Sequence, residues 1–168
     1  MTFHKKPLQV ALTIAGSDPS GGAGIQADIK TFTALGVYGA AAINCLTVQN
    51  TQGVHGVHPV DPELVKNQIS CVLNDLAVSH IKIGMLGSGP VASSIYEALG
   101  NFKGEIIYDP VLVSSSGHKL FDQNDYETIR NHILAICTVL TPNLPELLQL
   151  SDTDCSTKDA LKAAVKKL

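Results

Sequence analysis

A glycine-rich turn at residues 16–24 constrains this chain most, because it joins an apolar run to a segment of helical period. The apolar run, residues 10–15, has the length of a buried strand. Gly21, Gly22 and Gly24 permit positive φ angles, so backbone N–H groups at the start of the next helix can face a small polar or anionic ligand. An ordinary strand-to-helix turn is the simpler interpretation, since such turns are common in α/β domains.

Two known phosphate-binding patterns can be tested on this turn. Gly16 and Gly21 have the spacing of a P-loop, but Gly22 stands where that loop needs Lys, so the pattern fails. Residues 22–27 fit the dinucleotide pattern G-x-G-x-x-A. That site would also need an acidic residue at the end of the second strand, where residues 44–51 are polar and uncharged. The dinucleotide interpretation is therefore disfavoured.

The helix after the turn carries a carboxylate on its apolar side. The predicted buried stripe is Ile25, Ile29, Phe32 and Leu35, and the predicted solvent side is Gln26, Lys30 and Thr33. Asp28 falls on the buried stripe and must find a partner there. Two roles remain open for it: capping of nearby backbone N–H groups, or accepting a hydrogen bond from a ligand in the glycine-lined pocket.

Length, charge and composition exclude several classes of protein. A chain of 168 residues supports one core, so we expect a single domain over residues 1–168. The net charge of −3, without a basic stripe or any Trp, argues against nucleic acid as a partner. No apolar run has the length of a membrane span, so we expect a cytoplasmic protein without a membrane partner. The four Cys residues form no C-x-x-C pair and are predicted to be free thiols.

Alternating apolar runs and helical patterns along the chain predict βαβ units, hence a parallel sheet covered on both faces. The predicted strands are residues 10–15, 38–48, 80–86, 105–109 and 138–141. The predicted helices begin near residues 25, 62, 91, 126, 144 and 157. Residues 49–59 and the Ser/Gly segment 114–117 are predicted loops. Two interpretations are open for His55 and His58 in the first of these loops, lining of a pocket or simple exposure to solvent, and exposure is favoured.

Oxygen-bearing side chains follow two of the predicted strands. Asp109 directly follows an apolar strand, and Asn143 and Glu146 stand three residues apart in the first turn of the next helix. Ligands of parallel sheets sit beyond the carboxyl ends of the strands, and such side chains suit Mg²⁺ and its waters. Capping alone also accounts for Asn143 and Glu146, and the spacing by itself favours capping.

Five segments together resemble the hydroxymethylpyrimidine/phosphomethylpyrimidine kinases of thiamine biosynthesis, a family of the ribokinase-like superfamily. The resemblance follows the family's order along essentially the whole chain. Its segments are Ala15-Gly-Ser-Asp-Pro-Ser-Gly-Gly-Ala-Gly-Ile-Gln-Ala-Asp28, Thr47-Val-Gln-Asn-Thr51, Lys82-Ile-Gly-Met-Leu86, Asp109-Pro-Val-Leu-Val113 and Thr141-Pro-Asn-Leu-Pro-Glu146.

The resemblance implies a three-layer α/β/α ribokinase-like fold with a mostly parallel central sheet. It implies transfer of the γ-phosphoryl group of ATP, with Mg²⁺, to 4-amino-5-hydroxymethyl-2-methylpyrimidine and then to its monophosphate. By this resemblance the pyrimidine pocket is lined by Gly16, Ala23, Asp28, Gln49, Met85 and Val111. Asp109, Asn143 and Glu146 would hold Mg²⁺ and its waters.

The chain also departs from the family pattern. Family members are longer, and their anion-hole loop, which supplies the catalytic N–H donors, is expected beyond Leu168. We therefore expect a ribokinase-like domain that is incomplete at its C-terminus and hardly active alone. A homodimer is the expected assembly. The alternatives are a pyridoxal kinase of the same superfamily and a non-catalytic pyrimidine-binding module.

Overall fold

The computed structural model describes residues 8–113, 120, 125–153 and 157–168. The strands are β1 Val10–Ser17, β2 Tyr38–Asn50, β3 Gly53–Pro59, β4 Val78–Ile83, β5 Glu105–Tyr108 and β6 Val139–Leu140. The helices are α1 Gly24–Ala34, α2 Pro62–Asp75, α3 Gly89–Leu99, α5 Leu144–Ser151 and α6 Lys158–Lys167. Between β5 and β6, α4 comprises Tyr126–Thr128, a π turn Ile129–Ile133 and Leu134–Ile136. The predicted loop at 114–117 lies outside the described residues.

One six-stranded sheet in the order β3-β2-β1-β4-β5-β6 organises the fold. All neighbouring strands run parallel except β2 and β3, which are antiparallel. Thr13 and Lys82 are paired in register on adjacent strands and meet Asp28 of α1. Their neighbours Leu12 and Ile81 face the other way, because successive strand residues alternate, and join α2 and α3 in the core. Helices therefore cover both faces, which confirms the predicted three-layer α/β/α arrangement.

The prediction of a loop at residues 49–59 is wrong, because β2 continues to Asn50 and β3 pairs with β2 as a hairpin. Asn50 makes the turn: its side-chain oxygen accepts hydrogen bonds from the backbone N–H groups of Gln52 and Gly53 at 2.9 and 3.2 Å. In the sequence, Gly53 and Gly56 are typical of a loop, but in the structure they lie within β3. His55 and His58 are exposed, as predicted, but on a strand.

Helix α1 departs from its predicted stripe at two positions. Ile25 is buried as predicted and Ile29 and Phe32 are half-buried, whereas Leu35 is 73% exposed because it caps the helix beyond its packed face. Gln26 was predicted to face solvent. Its side chain instead turns toward the end of β1, where it accepts a hydrogen bond from Asp18 N and donates one to Ser17 Oγ.

The cysteines and the helix lengths bear on two further expectations. Cys45, Cys71 and Cys137 are free thiols, as predicted, and Cys155 lies outside the described residues. Across the described ranges, the structure contains no helix with both the length and the apolar character needed to cross a bilayer.

Candidate active site

A cavity of about 310 Å³ opens at the carboxyl ends of the central strands. The six residues predicted to bind the pyrimidine all line this central cavity. Its lining is Ala15, Gly16, Asp18, Ala23, Gly24, Ala27, Asp28, Thr47, Gln49, Val54, Lys82, Met85, Asp109, Val111 and Leu120. The structure thus brings together residues from four strand ends and α1, as expected for a parallel sheet.

The glycine loop does not offer the open N–H groups that its sequence suggests. The carboxylate of Asp18 occupies them: one oxygen accepts from the N–H and hydroxyl of Ser20, at 2.8 and 2.7 Å. The other accepts from Gly22 N and Ala23 N at 3.0 and 2.9 Å. Asp18 thus satisfies the N–H groups of Ser20, Gly22 and Ala23, whereas a ligand facing the N–H groups of the first turn of α1 stays a prediction.

The ionisation of Asp18 follows from these contacts. Burial alone would raise the pKa of its carboxyl, since Asp18 is only 2% exposed. The hydrogen bonds from Ser20, Ala23 and Gly22 outweigh burial and lower the pKa below its ordinary value. Asp18 is therefore a fixed negative charge at the start of α1, where the helix dipole also favours an anion.

Two glycines bring the backbone into close contact beside the cavity. A Cβ on Gly24, whose φ is +56°, would lie 2.1 Å from the carbonyl oxygen of Gly16. A Cβ on Gly16 would lie 2.6 Å from Met85 Cε and 2.8 Å from Cys45 Sγ. Burial raises the pKa of Cys45 to about 12, so this thiol is a neutral, apolar neighbour of Gly16 behind the lining of the cavity.

Polar side chains at the end of β2 hold the opposite wall. Thr47 Oγ1 donates to the Ser17 carbonyl at 2.9 Å and lies 3.2 Å from Gln49 Oε1. Asn44, fully buried, donates from Nδ2 to the Met85 carbonyl at 2.8 Å. The Asn44 bond fixes Met85 in the lining of the cavity, and the Thr47 hydroxyl lies beside the Gln49 amide.

Asp28 has a partner that neither sequence-based role anticipated. Its Oδ2 accepts a hydrogen bond from Thr13 Oγ1 at 2.6 Å and lies 3.1 Å from Lys82 Nζ. The prediction that Asp28 needs a partner is confirmed. The capping role is wrong, because the contacts of Asp28 are to side chains of the sheet and not to the helix backbone.

Asn143 and Glu146 form a complete capping box at the start of α5. Asn143 Oδ1 accepts from Glu146 N at 3.0 Å, and Glu146 Oε2 accepts from Asn143 N at 2.8 Å. Burial raises the pKa of Glu146, and the negative charge of Asp109 raises it further, despite hydrogen bonds from Asn143 and Leu112. Glu146 and Asp109 thus interact unfavourably, and we call this pair the acidic corner.

The acidic corner can be tested as a metal centre on its donor set. Among the described residues, no three His, Cys, Asp or Glu side chains converge to hold a metal. Mg²⁺ needs fewer protein ligands, because it keeps several waters and takes one or two carboxylates. Asp109, whose Oδ1 lies 3.2 Å from Thr141 Oγ1, and Glu146 supply two carboxylates. The residues present therefore fit a hydrated Mg²⁺ ion.

Sequence reasoning missed two residues of the site, Asp18 and Lys82. Each left a signal in the sequence. An Asp followed two positions later by Ser, just before a helix, is typical of an Asx turn that fills the helix N-terminus. Lys82 stands between Ile81 and Ile83 in a buried strand, so its side chain lies on the face of the sheet opposite these two isoleucines. A buried ammonium group needs a partner there.

Comparisons with known proteins identify the family and the fold of this chain. Residues 18–168 match the sequence profile of the phosphomethylpyrimidine kinase family. The hydroxymethylpyrimidine/phosphomethylpyrimidine kinase of Escherichia coli is 43% identical over 84% of this chain and 54% of its own length. A crystal structure of phosphomethylpyrimidine kinase from Clostridium difficile superposes with a TM-score of 0.86 at 37% identity, over 95% of this chain and 69% of that one.

A pyridoxal kinase has the same fold. The structure of the Staphylococcus aureus enzyme in complex with AMP-PCP and pyridoxal gives a TM-score of 0.82 at 32% identity, over 96% of this chain and 58% of that one. The fold and the cavity together define a ribokinase-like kinase domain. Within that class, the chain belongs to the phosphomethylpyrimidine kinase family. It spans about half the length of the Escherichia coli relative and 63% of the Aquifex aeolicus one.

Proposed function

We propose that this chain carries the substrate pocket of an ATP-dependent kinase of thiamine biosynthesis. The substrate is 4-amino-5-hydroxymethyl-2-methylpyrimidine, followed by its monophosphate. The observation that carries the proposal is that all six residues of the implied pyrimidine site line one cavity. Family membership supports the class of reaction.

The charge of the glycine loop supports a neutral ring as the ligand. Because Asp18 accepts the hydrogen bonds of the loop, this end of the cavity has no strong attraction for a phosphate. The Gln49 amide is both a donor and an acceptor, which suits a ring nitrogen next to an exocyclic amine. Gly16 and Met85 supply close apolar contact for the flat ring.

The acidic corner supports a place for the metal of Mg-ATP. Asp109 lines the cavity, and Asp109 and Glu146 would hold the hydrated ion, with Asn143 fixing Glu146 through the capping box. Mg²⁺ would neutralise charge on the transferring phosphoryl group. The role of this chain is to bind the ring, orient its hydroxymethyl group and hold the carboxylates in place.

The glycine loop does not serve as the anion hole in this proposal. Asp18 holds the N–H groups of Ser20, Gly22 and Ala23, so we expect the N–H donors for the γ-phosphate to come from elsewhere. Loss of such donors lowers a rate by roughly 10²- to 10³-fold. We therefore expect the 168-residue chain alone to bind pyrimidine weakly and to turn over slowly. An ADP-release assay beside the Escherichia coli relative tests this, and turnover within tenfold of that relative would contradict it.

Calorimetry with the hydroxymethylpyrimidine tests the proposed ligand directly. Gln49→Ala should weaken binding by about 1 to 3 kcal/mol, because polar groups of the ring lose their partner in the cavity. Gln52→Ala is the matched control, since Gln52 lies in the hairpin turn outside the lining of the central cavity. Equal affinity of the two variants would remove Gln49 from the site.

A pyridoxal kinase activity is the second candidate, favoured by the structural likeness to the Staphylococcus aureus enzyme. Competition between pyridoxal and the hydroxymethylpyrimidine distinguishes the two, and the proposal expects the pyrimidine to displace pyridoxal. A non-catalytic module would bind the pyrimidine with an affinity that ATP and Mg²⁺ leave unchanged. The homodimer stays a prediction, which sedimentation would test.

A further inference from the structure

Residues 84–87 connect β4 to α3 and run along one side of the central cavity; we call them the β4–α3 link. Its first residue is held to β1, because Gly84 N donates to the Ile14 carbonyl at 2.9 Å. Its last residue lies against β2, since a Cβ on Gly87 would stand 3.2 Å from Cys45 Cβ. In the sheet, β1 lies between β4 and β2. The link therefore spans the carboxyl end of β1.

Asn44 of β2 holds this link in its middle, at Met85. The Asn44 side chain is fully buried, and its Nδ2 donates to the Met85 carbonyl at 2.8 Å. Met85 lines the cavity, whereas Asn44 lies behind the lining. The Met85 side chain packs on the backbone of Gly16, where a Cβ would lie 2.6 Å from Met85 Cε. The backbone that carries this part of the cavity wall is thus fixed by a side chain outside the wall.

The amide of Asn44 is only half satisfied. Its Oδ1 is buried and has no hydrogen-bond partner within the part of the chain that the structure describes. A buried acceptor without a donor costs at least as much free energy as one neutral hydrogen bond contributes. The net contribution of this amide to folding is therefore small, and stability does not account for an Asn at this position. Its one bond acts on the position of Met85.

A second amide beside Asn44 has a different role. Gln68 of α2 accepts a hydrogen bond from Ile43 N and donates one to the Ile43 carbonyl, both at 3.0 Å. The pairing of β2 with β3 ends at Cys45, so Gln68 satisfies the backbone of β2 just before that point. Both ends of this amide are paired, and neither Gln68 nor Ile43 lines the cavity. Gln68 thus stabilises the sheet, which makes it a reference for Asn44.

We infer that Asn44 is a positioning residue of the ligand pocket: by holding the Met85 carbonyl, it sets how far the Met85 side chain reaches into the cavity. This inference rests on the proposed function, in which Met85 packs against the pyrimidine ring. Asn44 reaches the ligand only through Met85. A gap of about 0.5 to 1 Å forfeits roughly a quarter to a half of a van der Waals contact, so a small shift of the link weakens binding.

The experiment combines methionine methyl NMR with calorimetry on the same samples. The sequence contains two methionines, Met1 and Met85, so carbon-13 labelling of their methyl groups gives a simple spectrum. The Met85 signal is identified by its loss in Met85→Leu. Asn44→Leu is nearly isosteric and removes the donor to the Met85 carbonyl. It should shift or broaden the Met85 signal and weaken binding of the hydroxymethylpyrimidine by about three- to tenfold.

Gln68→Leu is the matched control. It leaves both backbone groups of Ile43 without their partner, so it should lower the thermal unfolding midpoint more than Asn44→Leu does. It should keep the Met85 signal and the affinity for the pyrimidine. Asn44→Ser is a second test, because its hydroxyl stands one bond short of the amide nitrogen, and it should change signal and affinity as Asn44→Leu does. If Asn44→Leu does not fold, Asn44→Ser decides the question.

The outcomes separate the inference from the proposed function. If the unaltered chain does not bind the pyrimidine, the proposed function is overturned, and the inference with it. If the unaltered chain binds and a folded Asn44 variant keeps its affinity or its Met85 signal, the inference alone is overturned. An equal loss of affinity in Gln68→Leu would also overturn it, because general loosening of β2 would then explain the result. Weaker binding with a changed Met85 signal in the Asn44 variants alone supports it.

Discussion

Two buried carboxylates at helix N-termini, Asp18 before α1 and Glu146 in α5, behave in opposite ways. Asp18 accepts four hydrogen bonds from Ser20, Gly22 and Ala23, and these lower its pKa although burial opposes them. Glu146 is 7% exposed and lies beside Asp109. Burial and that neighbouring charge raise its pKa despite the capping box.

The difference shows which end of the site is complete without a ligand. At α1 the protein supplies its own anion, so the N–H groups of Ser20, Gly22 and Ala23 are satisfied without a ligand. At α5 the two carboxylates repel each other, and a cation would relieve that repulsion. Similar helix starts can therefore serve as a rigid support in one place and as a candidate cation site in the other.

The largest expected effect comes from breaking the loop at Gly24. Gly24→Ala combines a left-handed φ of +56° with a contact of 2.1 Å to the Gly16 carbonyl. We expect a loss of about 3 kcal/mol or more in the free energy of unfolding, measured by denaturant titration. Gly36→Ala is the matched control, because its φ is +73° but a Cβ there meets nothing within 4 Å. A similar loss in both variants would mean that backbone strain, and not the close contact, dominates.

The next effect concerns the internal anion. Asp18→Asn keeps one acceptor oxygen but places an NH₂ group against N–H donors, so the free energy of unfolding should fall by about 2 kcal/mol at pH 7. Asp61→Asn is the control, since Asp61 makes one exposed capping bond, to Leu64 N, that Asn can also make. If Asp18→Asn lowers the free energy of unfolding no more than Asp61→Asn does, the result would contradict a stabilising role of the Asp18 charge.

The pH dependence of the Asp18 contribution has a definite sign. A folded-state pKa below the unfolded value of about 3.9 stabilises the protein above that pH, and the stabilisation disappears as the pH falls through the folded pKa. The difference in unfolding free energy between the unaltered chain and Asp18→Asn should therefore shrink in acid. A difference that grows below pH 4 would reverse the assignment.

The smallest effect is expected at the acidic corner. Glu146→Gln preserves the capping box and removes the charge opposite Asp109, so the free energy of unfolding at pH 7 should rise by up to about 1 kcal/mol. A raised folded pKa stabilises below the unfolded value of about 4.3, and this contribution is lost as the pH rises through the folded pKa. Glu146→Gln should not show this decrease in the free energy of unfolding as the pH rises. Urea titrations of both proteins between pH 4 and 8 would measure the difference.

The response of thermal stability to Mg²⁺ further tests the contrast between Asp18 and the acidic corner. If the acidic corner takes the cation, Mg²⁺ should raise the thermal midpoint of the unaltered chain more than that of Glu146→Gln, because the ligand binds the folded state. Glu63→Gln is the matched control, since Glu63 lies in the first turn of α2 and is exposed. A lower midpoint in Glu146→Gln with an unchanged response to Mg²⁺ would leave capping as the role of Glu146.

Strand and helix identity could be predicted from local patterns, because each βα unit repeats the same change of hydrophobic period. The hairpin at residues 49–59 could not, since Gly53 and Gly56 signal a loop unless their pairing with β2 is known. The residues at the strand ends could be gathered by the rule for parallel sheets. The partners of the charged side chains could not be predicted. Asp18 binds the N–H groups of its own loop, and Lys82 pairs with Asp28, because of contacts that form only in three dimensions.

The most direct test of the contrast is to titrate both carboxylates in one sample. Carbon-13 shifts of the side-chain carboxyls of Asp18 and Glu146, followed from acid to neutral pH, report the two pKa values separately. The account predicts a midpoint below about 3.9 for Asp18 and above about 4.3 for Glu146. A Glu146 midpoint at or below that of Asp18 would contradict it, because the loop anion would then be no better satisfied than the acidic corner.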